Sequence, residues 1–198
     1  MSNQKTPQKI PLIKIDKMTW GYPDSKKQLF NDFSLEINKG DFLIITGKSG
    51  SGKSTLVKLL IGQIKAQKKK VFYKLEDLAS FSDAQIQKYR RNIGIVFQDY
   101  ELIHTLSPKE NIIYPLILDQ KPLSEIKKRY EAVNTLLGIS EISTQEVKKL
   151  SGGEKQKIAM ARAIIDAPDF IIADEPTGNL DDENSQQIAD LLIKANEI

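Results

Sequence analysis

Three runs in this sequence are nearly continuous in apolar residues: Phe42 to Thr46, Ile93 to Phe97 and Phe170 to Ala173. Strands covered on both faces read this way, so the runs predict a parallel central sheet flanked by helices. The runs Leu12 to Ile15, Phe33 to Ile37 and Val71 to Tyr73 alternate more with polar residues. They are joined by turn-forming stretches such as "GYPDS" and "INKGD", which predicts an antiparallel edge lobe. Between Gln98 and Gly153 the period becomes helical. There, "SPKE" (Ser107 to Glu110) and "SGGE" (Ser151 to Glu154) have the form of a capping box at a helix start. The pattern as a whole predicts an α/β fold: a mostly parallel sheet with flanking helices, an antiparallel β lobe and an inserted α-helical lobe.

At 198 residues the chain suits one domain. Its expected parts are a core with the β lobe over 10–97, a helical lobe over 98–153, and a return to the core over 154–198. The 40% hydrophobic and 28% charged shares are those of a globular protein. The longest apolar stretch, Ile112 to Leu118, is interrupted by Tyr114 and Pro115 and falls far short of the ~20 residues a bilayer demands. The start lacks an apolar core and a small-residue cleavage site, so the expected address is cytoplasmic. With no cysteine, disulfides and thiolate metal sites are excluded. The net charge of +3 is mild, although lysines cluster from Lys65 to Lys70. That cluster reads as a solvated hairpin rim; nucleic acid or anionic lipid are its alternatives, and the scarcity of aromatic neighbours argues against nucleic acid.

The chemistry starts at "GKSGSGKST": Gly47, Lys48, Ser49, Gly50, Ser51, Gly52, Lys53, Ser54 and Thr55. This run follows a predicted strand and opens a helical pattern, the context a phosphate-binding P-loop needs. Gly50 and Gly52 let the backbone amides turn inward, and a helix N-terminus adds positive potential. Lys53 would reach the β and γ phosphates, and the Ser54 hydroxyl would bind Mg²⁺. At the end of the last apolar run stand Asp174 and Glu175. A buried carboxylate needs a partner, so Asp174 is read as a Mg²⁺ ligand shared with Ser54. Glu175, pointing the other way by strand alternation, is read as the group that orients or deprotonates the attacking water.

Together these motifs resemble the ATP-binding-cassette ATPases. "LSGGEKQ" (Leu150 to Gln156) is similar to the family signature, "VFQD" (Val96 to Asp99) to its Q-loop and "GNLD" (Gly178 to Asp181) to its D-loop. "MTWGYPD" resembles the segment whose aromatic residue stacks on adenine, here Tyr22, with Trp20 as the other candidate. The resemblance covers nearly the whole chain. It implies a P-loop NTPase core, ATP and Mg²⁺ as cofactors, and a head-to-tail homodimer. Each ATP would lie between the P-loop of one copy and Ser151, Gly152, Gly153 and Glu154 of the other, with Asp181 coupling the copies. Gln98 would touch the metal. The two glycines after Ser151 would leave a bare helix tip for phosphate.

Lys53 and Ser151 lie 98 positions apart (151 minus 53), which excludes the long coiled-coil insertion of the chromosome-maintenance members. "ADEPTGNLD" is similar to the subgroup of lipoprotein-releasing, macrolide-export and bacterial cell-division ATPases. That implies an integral membrane partner and a location on the inner face of the membrane. The lobe after Gln98 would receive a partner helix, with "IIYPLIL" mainly as lobe core. Family members carry a switch histidine on the strand after the D-loop helix. This sequence stops within that helix, and its only histidine, His104, follows the Q-loop. The terminal strand is therefore expected to be missing. A nucleotide clamp that does not turn over stands as the alternative to an active ATPase.

Overall fold

Ile13, Ile15 and Met18 alternate inward on β1 (Ile13–Trp20), and two strands pair with it antiparallel. β2 (Phe30–Ile37) aligns Ile37 with Ile13 and Leu35 with Ile15. β3 (Val71–Tyr73) aligns Val71 with Ile15 and Tyr73 with Ile13 on the other side. The short β4 (Glu76–Asp77) completes the order β2-β1-β3-β4, the antiparallel lobe the alternation predicts. The β1–β2 register slips between Ile15 and Met18, where Lys17 has φ 43, a bulge that bends the strand. The structure, a computed structural model, describes residues 10–25 and 28–196.

α1 (Lys53–Leu60) buries Leu56, Leu59 and Leu60. Its last carbonyls are satisfied from α2 (Asp83–Arg91). The Tyr89 hydroxyl donates to the Leu60 carbonyl, while Arg90 donates to Ile61 and Gly62 at 3.0 Å each. Burial pushes the Tyr89 phenol well above its ordinary pKa.

The chain divides into two compact units, residues 1–90 and 91–198. In the second, β5 (Ile93–Val96) pairs parallel with β6 (Phe170–Ala173), in register from Ile93 with Phe170 to Val96 with Ala173. Around them lie α3 (Pro108–Leu118), α4 (Leu123–Leu137), α5 (Gly152–Ile164) and α6 (Asp182–Asn196). Ile112, Leu116, Ile139, Ile158 and Met160 are the centre of its core. "IIYPLIL" serves two ends: Ile112 and Leu116 are fully buried, while Tyr114, Ile117 and Leu118 face solvent.

One predicted strand is absent. Phe42 to Thr46 joins no ladder, and Phe42, Leu43, Ile44 and Ile45 are all about half exposed or more. The parallel ladder among the described residues therefore has two strands, β5 and β6, and not the three that the sequence predicts. An apolar run marks a segment as suited to covered faces, but a strand also needs an edge to bond, and composition does not name that edge.

Both predicted capping boxes form. Ser107 and Glu110 bond reciprocally at the start of α3, at 2.7 and 3.3 Å, and Ser151 and Glu154 repeat the geometry at α5. The serine hydroxyl and amide hold each glutamate below the usual carboxylate range. A folded pKa below the unfolded one contributes stability above about pH 4.3, and it is lost as pH falls through the folded value. Glu154→Gln is therefore expected to flatten the acid limb of the stability curve between about pH 3 and 5, read by thermal melts across that range. An unchanged limb would show that this box carries no acid sensitivity.

Candidate phosphate and signature sites

In the first unit, the loop before α1 is shaped by glycines. Gly50 and Gly52 have φ +73 and +102, where side chains are strained, and a Cβ on Gly52 would sit 3.2 Å from the Phe30 ring. Gly52 is also the N-cap of α1 and offers no side-chain bond, so no side chain closes the helix tip. Lys53 folds back over the loop. Its ammonium donates to the carbonyls of Gly47 (2.8 Å) and Lys48 (3.4 Å). Ser49, Ser51 and Ser54 are exposed, and a Cβ on Gly47 would press on the Ser51 hydroxyl at 2.8 Å. Thr55 is buried, with its hydroxyl 3.2 Å from that of Tyr22. Tyr22 remains 41% exposed and meets Trp20 edge-on, whereas Trp20 packs into the lobe at 9%. Of the two rings, Tyr22 is the one open to a base.

In the second unit, β6 ends at Ala173, and both acids lie past it in a bend. Asp174 is half-buried, not buried as its place after an apolar run suggests, and its amide donates to Val96 at 2.9 Å. Glu175 is exposed with φ 47, and its carbonyl accepts from Gly178 at 3.0 Å. A strand's alternation does not govern a residue in that turn, which corrects the orientation inferred for Glu175. The turn carries Asn179, whose amide donates to the Gln98 carbonyl at 3.1 Å. Gln98 thus lies beside the turn that bears the acids. Asp181 accepts from the backbone and side-chain amides of Asn184 at 2.8–3.0 Å, and these bonds hold its carboxyl below the usual range.

Ser151 is exposed at the tip of α5, but the glycines after it do not leave that tip bare. A Cβ on Gly153 would stand 2.5 Å from the Asn184 side-chain oxygen, and one on Gly152 would stand 3.2 Å from the Tyr100 hydroxyl. Their smallness lets α6 and the turn after Gln98 approach the signature. That turn is itself strained: Tyr100 and Glu101 have φ 62 and 47. Arg162 secures it, donating to their carbonyls at 2.8 and 2.6 Å. Burial lowers the Arg162 pKa below the ordinary guanidinium value, against the pull of Glu101. Asn184, Tyr100 and Arg162 escaped the sequence reading because no local pattern marks them. His104 is exposed and lines a cleft of about 310 Å³ with Ser107, Gln145 and Lys148.

Glycines held at positive φ ahead of a helix with no capping side chain suit one ligand above others, a nucleotide's phosphates, and the class is that of the P-loop ATPases. Residues 30–178 match the ABC transporter family model, and the chain belongs to that family. It is 38% identical over 186 residues to the cell division ATP-binding protein FtsE of Bacillus subtilis, covering 93% of this chain and 81% of that one. It is also 38% identical over 185 residues to the lipoprotein-releasing system ATP-binding protein LolD of Aquifex aeolicus, covering 92% and 80%. Among solved structures, the dimeric ATP-binding cassette MJ0796 in a post-hydrolysis state with ADP and Pi superposes with TM-score 0.82 at 32% identity, over 93% of this chain and 83% of that one. The chain is an ABC-type ATPase with the cassette fold. Among the described residues no helix is long and apolar enough to cross a membrane.

Proposed function

We propose that this chain is the ATP-hydrolysing subunit of an FtsE-like membrane complex. In this reading ATP closes a head-to-tail homodimer and drives an integral membrane partner, FtsX-like, in cell division. The location that follows is the inner face of the cell membrane, held there through the partner. The observation that carries the nucleotide part is the loop of Gly47 to Lys53, where positive-φ glycines, a helix tip free of side-chain caps and a poised ammonium converge. The 38% identity to FtsE supports the cell-division part. Equal identity to LolD supports a lipoprotein-releasing or macrolide-type exporter as the second reading.

Within that reading Lys53 leaves the Gly47 and Lys48 carbonyls for the β and γ phosphates, and the α1 amides take the remaining oxygens. Tyr22 covers the adenine. Ser54, Gln98 and Asp174 are the residues that would hold Mg²⁺, which would supply charge neutralisation at the phosphates. No cluster of three His, Cys, Asp or Glu exists among the described residues, and a single carboxylate suits an ion that keeps waters and phosphate oxygens as ligands. Glu175 accepts a proton from the water that attacks the γ phosphorus as the bond to ADP breaks. Ser151 to Glu154 of the second copy close the site, and Asp181, fixed by Asn184, links the copies.

Lys53→Met is expected to weaken ATP binding by roughly 10- to 100-fold, the worth of charge-assisted bonds, read by calorimetry with Mg²⁺ present. Unchanged affinity would remove Lys53 from the site. The assignment as a whole is tested by ATPase assays of the protein with a reconstituted FtsX-like partner and, separately, with an exporter permease. Stimulation by the first supports the cell-division reading and stimulation by the second the exporter reading. Absence of Mg²⁺-dependent turnover with both would overturn the proposal.

A further inference from the structure

The lysine cluster is not a hairpin rim: it lies in the connection from α1 to β3. Lys65, Lys68 and Lys69 are exposed and Lys70 half-exposed. The Asp16 amide donates to the Lys70 carbonyl at 3.0 Å, which brings the bulged, exposed Lys17 of β1 to the same sheet end. Lys17 and Lys70 therefore meet at one sheet end, with Lys65, Lys68 and Lys69 on the loop that leads to it, and among the described residues none of the five has an ion-pair partner. The nearby Asp77 is already engaged, with one oxygen accepting from the Lys69 amide (2.9 Å) and the other from the Ala79 amide (3.1 Å). Asp16 is the acid that stands beside them. The sequence sharpens the contrast: residues 1–90 carry 17 Lys and Arg against 8 Asp and Glu, net +9, and residues 91–198 carry 12 against 18, net −6.

We propose that Lys17 and the Lys65–Lys70 loop form a docking surface for the anionic headgroups of a lipid bilayer. Unneutralised lysines on a short loop attract such a surface without any shaped pocket. Single-stranded nucleic acid would call for open aromatic faces, but Phe72 is half-buried and Tyr73 is buried against Tyr89. The inference rests on the reading of a membrane-complex subunit and adds to it a lipid contact independent of the protein partner.

The test is sedimentation of the purified chain, without any membrane partner, with vesicles of equal phosphatidylglycerol and phosphatidylcholine or of phosphatidylcholine alone. Binding is expected to the anionic vesicles and to fall as salt rises. At about fivefold per lysine, K68Q/K69Q/K70Q is expected to weaken it roughly 100-fold and K17Q/K65Q roughly 25-fold, with ATP affinity unchanged in both. No binding to anionic vesicles, equal binding to the neutral ones, or full binding by both variants would overturn the proposal. Tighter binding to duplex DNA at matched phosphate concentration would overturn it in favour of nucleic acid. None of these results would touch the ATPase assignment, which the partner assays decide.

Discussion

Glu175→Gln is expected to cut Mg²⁺-dependent ATP turnover by about 10²- to 10⁴-fold, the range a positioned general base contributes. ATP affinity should stay near that of the parent, because the change removes a proton acceptor while keeping size and hydrogen-bonding shape. In the proposed function this role falls to Glu175, and Asp174 is left to the metal. Glu175 is exposed and held at φ 47 by a turn closed through its own carbonyl, whereas Asp174 is half-buried and bonded through its amide to β5. The variant should also accumulate an ATP-bound dimer, seen as a doubling of mass in light scattering with ATP and Mg²⁺. Turnover that matches the parent's would assign the proton to another group, and a parent with no turnover would leave only the nucleotide clamp.

Some of this site was legible in the sequence because its chemistry tolerates few substitutes. Positive-φ positions call for glycine, a helix tip is capped by serine with glutamate three residues on, and phosphate calls for lysine at a fixed offset. The β lobe was legible for a different reason, since a half-solvated sheet imprints its period on the chain. What stayed hidden depends on contacts between distant segments. Arg162 meets its carbonyl partners 61 and 62 positions away, and Gly153 owes its smallness to Asn184. Phe42 to Thr46 shows the opposite failure: its composition is that of a core strand, yet a strand exists through its neighbours, and composition does not name them.

Gly94→Ala is expected to destabilise the protein by about 3 kcal/mol or more, at the upper end of what overpacking costs. Gly94 is buried in β5, and a Cβ there would stand 2.5 Å from the Ala163 carbonyl oxygen and 3.1 Å from Pro168. The obstacle is backbone and a proline ring, so no side-chain rotation relieves it. Either α5 must lift from β5 or β5 must shift against β6, whose register is tied just beyond by the Asp169 amide bonding to Asn92 at 2.9 Å. For a chain of this length the loss corresponds to a fall in melting temperature of roughly 6–12 °C. The consequence also travels along α5, which begins at Ser151 and carries Arg162 one residue before the clash. A lifted α5 would slacken the hold of Arg162 on the strained turn at Tyr100 and Glu101, beside Gln98. The variant should therefore lose cooperativity between ATP and the membrane partner at temperatures where it is still folded. A melting temperature within 1 °C of the parent's would show that α5 and β5 do not approach as closely as this contact implies.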